Sequence, residues 1–226
     1  MNKYKVIILS LLISFMGASC EDWLYDNVNE DAAHEVLPQQ VLPVVLFYSA
    51  QLQFDHAEYG AYLTQTLTTG GRNQTSSFAY KSGWGDFLTM NRHPQWRRHF
   101  YDIGVNAKEI IDEAHEAQAW NLELIGRTLR LMSTQMTTDL FGDMPRSEAY
   151  ESNSPHYDTQ ESIYEWMNQE IEELIGMYED PTYTEAATNI PIDQSIDRVF
   201  AGDLNKWKHY TYALKARLLL RKLPNW

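Results

Sequence analysis

Apolar residues recur along this chain at three- and four-residue steps, the spacing of one helix face. The clearest stripe is Leu122, Ile125, Leu129, Met132, Met136 and Leu140, which predicts a helix over 120–140. Phe100, Ile103, Ala107, Ile110 and Ala114 predict another over 95–118. Ile163, Met167, Ile171, Leu174 and Tyr178 predict a third over 159–178, with Asp158 and Glu161 at the spacing of a capping box. Trp207, Tyr210, Leu214 and Leu218 predict a fourth over 204–222, with Asp203 as its N-cap after Gly202. Nearer the N-terminus, Val41, Val44, Val45, Tyr48 and Leu52 mark a helix over 38–56. That helix requires Pro43 to lie in its first turn, where the missing N–H is not needed. Residues 57–69 read either as loop or as a further helix ending at Gly70-Gly71.

The stretches between these stripes lack periodicity. Residues 70–94 hold Gly, Ser, Thr, Asn and aromatics, and a loop of that length is commonly functional. Segments 141–157 and 179–202 are rich in Pro, Asn, Asp and Ser. Strand-like alternation never persists beyond a few residues. The pattern therefore predicts an all-α fold of stacked, TPR-like helix pairs with long loops. No strict repeat is present, so a solenoid is an expectation of shape alone.

The first twenty residues read differently. Lys3 and Lys5 precede an apolar run from Val6 to Met16, and Gly17, Ala18 and Ser19 then lead to Cys20, the only cysteine. This is the pattern of a secretion signal. The run falls short of the ~20 residues that a membrane-spanning helix needs. Small residues ending at a cysteine resemble a bacterial lipobox, in which the thiol is lipidated and becomes the first mature residue. Residues 1–19 are thus expected to be a lipoprotein signal peptide, and 20–37 a lipidated, acidic tether. A lone cysteine has no partner for an internal disulfide. Glu21-Asp22 just behind it resembles the surface-export signal of Bacteroidetes lipoproteins.

Charge narrows the partners. Removing residues 1–19 takes away two lysines and no acid, so the net charge moves from −13 to −15. Nucleic-acid binding needs a basic footprint, and an acidic chain argues against it. The same charge argues against docking on anionic lipid through a basic patch, which leaves the lipid as the anchor. No nucleophile-elbow, zinc-protease, P-loop or paired-cysteine motif appears. His93 and His99 are six apart, the wrong step for one helical face, and His56, His115 and His156 are isolated. Glu170, Glu172 and Glu173 follow the polar face of their helix and read as solvated charge. No enzyme, metal or cofactor is expected.

Two segments are distinctive. Thr138-Asp139-Leu140-Phe141-Gly142-Asp143-Met144-Pro145 leads through Ser147-Glu148-Ala149 to Tyr157-Asp158-Thr159-Gln160-Glu161-Ser162-Ile163-Tyr164. Phe200-Ala201-Gly202-Asp203-Leu204-Asn205-Lys206-Trp207-Lys208 runs into Leu214-Lys215-Ala216-Arg217-Leu218-Leu219-Leu220-Arg221. Together they resemble the SusD/RagB family of Bacteroidetes outer-membrane lipoproteins, and Trp96, Tyr101 and Asn106 fit a weaker family pattern. Physically, Gly142 suits an αL helix end with Phe141 folding back, and Pro145 forbids continuation. Trp207 anchors the last helix, Trp96 opens a helix and reads as core, and Arg217 and Arg221 can pair with acids across an interface. Tyr212 and Ala216 depart from the family pattern. The chain stops at Trp226, where family members continue with further helices. The resemblance thus implies a SusD-like α-superhelix over 38–226 that is truncated at its C-terminus.

It also implies a function: a surface-exposed outer-membrane lipoprotein that captures a glycan or peptide for a SusC-type TonB-dependent transporter, breaking no bond. Loop composition, not the family motif, supplies the candidate contacts. Arg72, Asn73 and Gln74 offer fixed donors and acceptors, and Phe78, Tyr80 and Trp84 offer flat faces for a sugar ring. The alternative is a membrane-anchored helical scaffold for protein partners, without a small ligand.

Overall fold

The four clear stripes each fold as helix in the computed structural model, which describes residues 37–64, 66 and 94–221. The signal peptide, Cys20, the tether short of Leu37, and Arg72, Asn73, Gln74, Phe78, Tyr80 and Trp84 lie outside these residues. The helices are α1 (Pro38–Leu63), α2 (Pro94–Arg97), a π-helical segment (Arg98–Val105), α3 (Asn106–Glu116), α4 (Trp120–Phe141), α5 (Gln160–Glu179), α6 (Pro181–Thr184) and α7 (Leu204–Arg221). Among the described residues the sole β pairing is an isolated antiparallel bridge between Met144 and Asp158. The fold is all-α.

Helix α4 is the axle. It packs against α1, the π segment and α3 on one side and against α5, α6 and α7 on the other. Every residue from Asn121 to Thr138 is buried except Arg130. Such a helix would be expected to be apolar all round, yet this one carries many polar residues. Most of them are tolerated because they are bonded, Gln135 being the exception, with both ends of its amide buried without a partner. Thr128 and Thr137 donate to the carbonyls of Leu124 and Ser133, each at 2.8 Å. Thr128 Oγ1 also lies 3.1 Å from Tyr178 Oη and 3.3 Å from Thr211 Oγ1, which ties α4 to α5 and α7.

Arg127 sits deep between α4 and α5. Its guanidinium meets Glu123 at 3.3 Å, Glu170 at 2.8 Å and Glu173 at 2.9 Å. Glu170 is therefore not solvated charge, as its helix face suggested. It is 7 % exposed and faces the core because Arg127 supplies its counter-charge. Glu172 and Glu173 do reach the surface, where Glu172 pairs with Lys215 of α7 at 2.6 Å.

Several local expectations change. Residues 57–63 continue α1 without a break, and the hydroxyl of Thr64 closes its end on the Gly60 carbonyl at 2.9 Å. Since α1 begins at Pro38, Pro43 falls in the second turn and deletes one backbone hydrogen bond. Val44, placed on the buried stripe by spacing, is 42 % exposed, while Val41, Val45 and Leu52 are buried. The N-cap of α5 is Thr159, whose hydroxyl accepts from the Ser162 amide at 3.2 Å, and not Asp158. Asp158 is engaged elsewhere: it accepts from the amides of Arg146 and Ser147 at 2.8 and 2.9 Å. Gly142 has the positive φ expected at the end of α4, 75°, but its ψ of −124° lies outside αL.

Other readings hold. Asp203 caps α7 through the amides of Asn205 and Lys206 at 3.0 and 3.2 Å. Trp207 is 1 % exposed, and its indole donates to Asp197 at 2.8 Å. The buried Asp197 carboxylate also accepts from the amides of Val199, Phe200 and Gly202, and so shapes the loop before α7. Arg221 reaches Asp139 across the α4–α7 interface at 3.4 Å.

Candidate functional site

The helix predicted over 95–118 does form, but its middle is π-helical, a rare form that concentrates at functional sites. Gly104 explains how it is accommodated. A Cβ there would lie 1.8 Å from Tyr150 Oη, so the phenol occupies the space that a side chain would need. Tyr150 belongs to the irregular stretch after α4, and this contact brings that stretch onto the helix.

Between them lies an open groove of about 560 Å³. Trp96, Phe100, Tyr101 and Val105 form one wall, and Ala149 to Pro155 contribute to the other. Trp96 packs against the core, as its position at a helix start suggested, and it also lines the groove. Its ring lies 4.6 Å from Phe100, 5.2 Å from Phe141 and 6.4 Å from Tyr157. Tyr101, by contrast, is 69 % exposed, and Val105 49 %. Both present flat or apolar surface on the helix, with no ring contact to Tyr101 among the described residues.

Beside the groove, sharing part of its wall, lies a smaller cavity of about 160 Å³. Lys108, Pro145, Ala149, Tyr150 and Glu151 border both. The inner cavity adds His99, Arg130, Arg146 and Trp166. Arg130 is the one residue of the buried run of α4 that reaches open space, and this cavity is where it does so. Its guanidinium carbon lies 6.0 Å from the Trp166 ring centre, and that of Arg146 lies 4.6 Å away. The indole thus steadies two cations.

The electrostatics favour an anion. Among the described residues neither Arg130 nor Arg146 makes an ion pair, and Glu151 is the sole acid in the wall. Burial lowers the pKa of Arg146, and the like charge of Arg130 adds to this, while Asp158 and Glu170 oppose it. Burial pushes His99 down to about 3, with Arg130 adding to the effect. His99 is therefore neutral at ordinary pH and shares a 2.7 Å hydrogen bond with Ser133 Oγ. Burial pushes the Tyr150 phenol up to about 12, so it stays protonated. Lys108 is held charged by its hydrogen bond to Asp112.

The six residues singled out in the sequence as ligand contacts fall outside the described residues. The residues that do converge come from α2, the π segment, α3, α4, the loop after it and α5. One signal was available: Arg130 is a second arginine on a helix that also carries Arg127, and no acid lies three or four residues from it within that helix. Among the described residues no cluster of three His, Cys, Asp or Glu could hold a metal.

Comparison with known proteins follows the same line. A family model described as SusD-like, starch-binding associating with outer membrane, matches residues 37–222. A solved SusD/RagB family protein from Bacteroides thetaiotaomicron superposes with a TM-score of 0.62 at 22 % identity. The match covers 83 % of this chain and 38 % of that one. No curated protein matches.

Proposed function

The chain belongs to the SusD-like family, and on that premise we propose that it captures a glycan at the outer-membrane surface and hands it to a SusC-type TonB-dependent transporter. Binding, not bond cleavage, is the activity. Lipidation at Cys20 holds the protein to the membrane, and the acidic stretch behind it serves as tether.

The observation that carries this reading is the aromatic groove that shares a wall with a polar inner cavity. Sugars bind through two complementary faces: C–H groups stack on aromatic rings, and hydroxyls take fixed donors and acceptors. Tyr101 and Phe100 supply the first and Lys108, Glu151 and Tyr150 the second. The sequence assigns further contacts to Arg72, Asn73, Gln74, Phe78, Tyr80 and Trp84, and alanine at both Tyr80 and Trp84 tests them.

For the groove itself, the test is calorimetric titration of the full chain with a panel of oligosaccharides and peptides. An oligosaccharide is expected to bind, and Tyr101→Ala to weaken it about tenfold, equivalent to about 1.4 kcal/mol. Because Tyr101 is largely exposed, the fold should survive the change. Failure of every oligosaccharide and peptide would refute the reading and favour a scaffold that needs a protein partner.

A further inference from the structure

Two guanidiniums one turn apart on the same helix are treated in opposite ways. Arg127 has carboxylates from Glu123, Glu170 and Glu173 within 3.3 Å. Arg130, three residues on, makes no ion pair among the described residues, although the chain carries 31 acids. Arg146 also makes none, and both are brought against one indole. Lys108 lines the same cavity. A fold this acidic has ample means to neutralise a structural cation, as Arg127 demonstrates. Two cations brought to one cavity and one indole repel, as the downward push of Arg130 on the Arg146 pKa records, and an entering anion relieves that repulsion.

The cavity has the size and chemistry for such an anion. Its volume of about 160 Å³ far exceeds the ~15 Å³ that one structural water needs. Guanidinium is planar, and when its face rests on an aromatic ring its N–H edge stays available for bidentate bonding to an oxyanion. Tyr150 adds a phenol that donates, and His99 stays neutral and does not compete for the negative charge. The outer groove bordering this cavity carries the aromatic rings and, besides Lys108 and Glu151 on the shared wall, no charged side chain, so a chain of sugars in the groove would present one substituent inward.

We propose that the inner cavity is a carboxylate subsite, and that the glycan taken by this protein carries a uronic acid whose carboxylate is held between Arg130 and Arg146. This deepens the glycan-binding reading and rests on it. It makes the chain selective for acidic over neutral saccharides, despite a net charge of −13 that disfavours anions at long range. The attraction is confined to one concave place, so selectivity depends on the cavity and not on the overall field.

The test is calorimetric titration of the full chain with a galacturonic acid trimer, its fully methyl-esterified form and a sulfated neutral trimer. The acid is expected to bind at least tenfold more tightly than the ester. Arg146→Gln, on an irregular stretch, and Arg130→Gln, on α4, are each expected to bring that ratio close to one. A thermal melt of each variant checks the fold, and Arg146→Gln suffices should Arg130→Gln misfold. Arg130→Lys, which keeps the charge but loses the planar fork, is expected to recover only part of the ratio. Equal binding of acid and ester overturns the subsite while leaving the groove reading intact. Preference for the sulfated trimer over the acid overturns the carboxylate assignment. An acid preference that survives Arg146→Gln also overturns it. Absence of binding by any of the three, together with failure across the wider panel, removes both readings.

Discussion

Replacing Arg127 by Met tests whether the polar interior of α4 is held by its ion network. Arg127 is surrounded by Glu123, Glu170 and Glu173, whose side chains are 5 %, 9 % and 61 % exposed. Glu173 can turn to water and loses at most ~1 kcal/mol, as surface pairs do. Glu123 keeps His115, whose Nδ1 lies 3.1 Å from Oε2. Glu170 keeps no partner among the described residues and remains buried. Breaking a buried pair by removing one member costs ~3–5 kcal/mol, because the other charge is left uncompensated. For a chain of this size that corresponds to a fall in Tm of roughly 10 °C. The assay is equilibrium urea unfolding of the full chain followed by circular dichroism. The double variant Arg127→Met with Glu170→Gln should regain most of the loss, and Arg127→Met with Glu123→Gln clearly less. A loss below ~1 kcal/mol for the single variant, or rescue by the Glu123 change alone, would refute the reasoning.

Two further outcomes follow from the pocket wall. His99 has a folded pKa of about 3, below its ordinary value, so protons bind the unfolded chain in preference. Its contribution is intact above pH ~6.5 and is lost as pH falls toward 3, amounting to about 2 kcal/mol between pH 7 and 5. Unfolding titrations of the wild type and His99→Gln over that range should differ in slope by this amount, and parallel curves would contradict a neutral buried imidazole. Gly104→Ala places a Cβ where the Tyr150 hydroxyl sits, so Tyr150 must leave its seat, at a cost of ~1–3 kcal/mol. Saccharide binding should weaken with it, whereas unchanged stability and binding would mean that the phenol moves freely.

Helix positions were legible where a stripe of large apolar residues carried them, as in α4 and α5. What spacing did not convey was burial on the other faces. Thr128, Ser133 and Thr137 lie off the apolar stripe, yet they are buried, and each hydrogen-bonds within the helix or to a neighbour. Glu170 misled for the same reason, since its partner lies 43 positions away. Asp158 and Thr159 are both plausible caps, and the choice was settled by a turn at residues 146 and 147 that competes for the aspartate. The inner cavity was hidden more deeply. Lys108, Arg130, Arg146 and Trp166 belong to α3, α4, a loop and α5, so no local pattern could group them. The family motif runs through the neighbouring Asp143-Met144-Pro145, and its Pro145 borders both the groove and the cavity.

The π-helical segment has an evolutionary consequence. A π turn holds residues in excess of the α-helical repeat, and it shifts the angular phase of everything that follows. Upstream of it Trp96 lines the groove, and downstream Ala107, Ile110 and Ala114 fill the core. Loss of a single codon between Arg98 and Val105 would restore a regular α-helix and set these two groups out of register. The core would compel the downstream half to keep its place, and the groove residues would turn away. The groove is thus one deletion away from being dismantled, with the helical fold itself left standing.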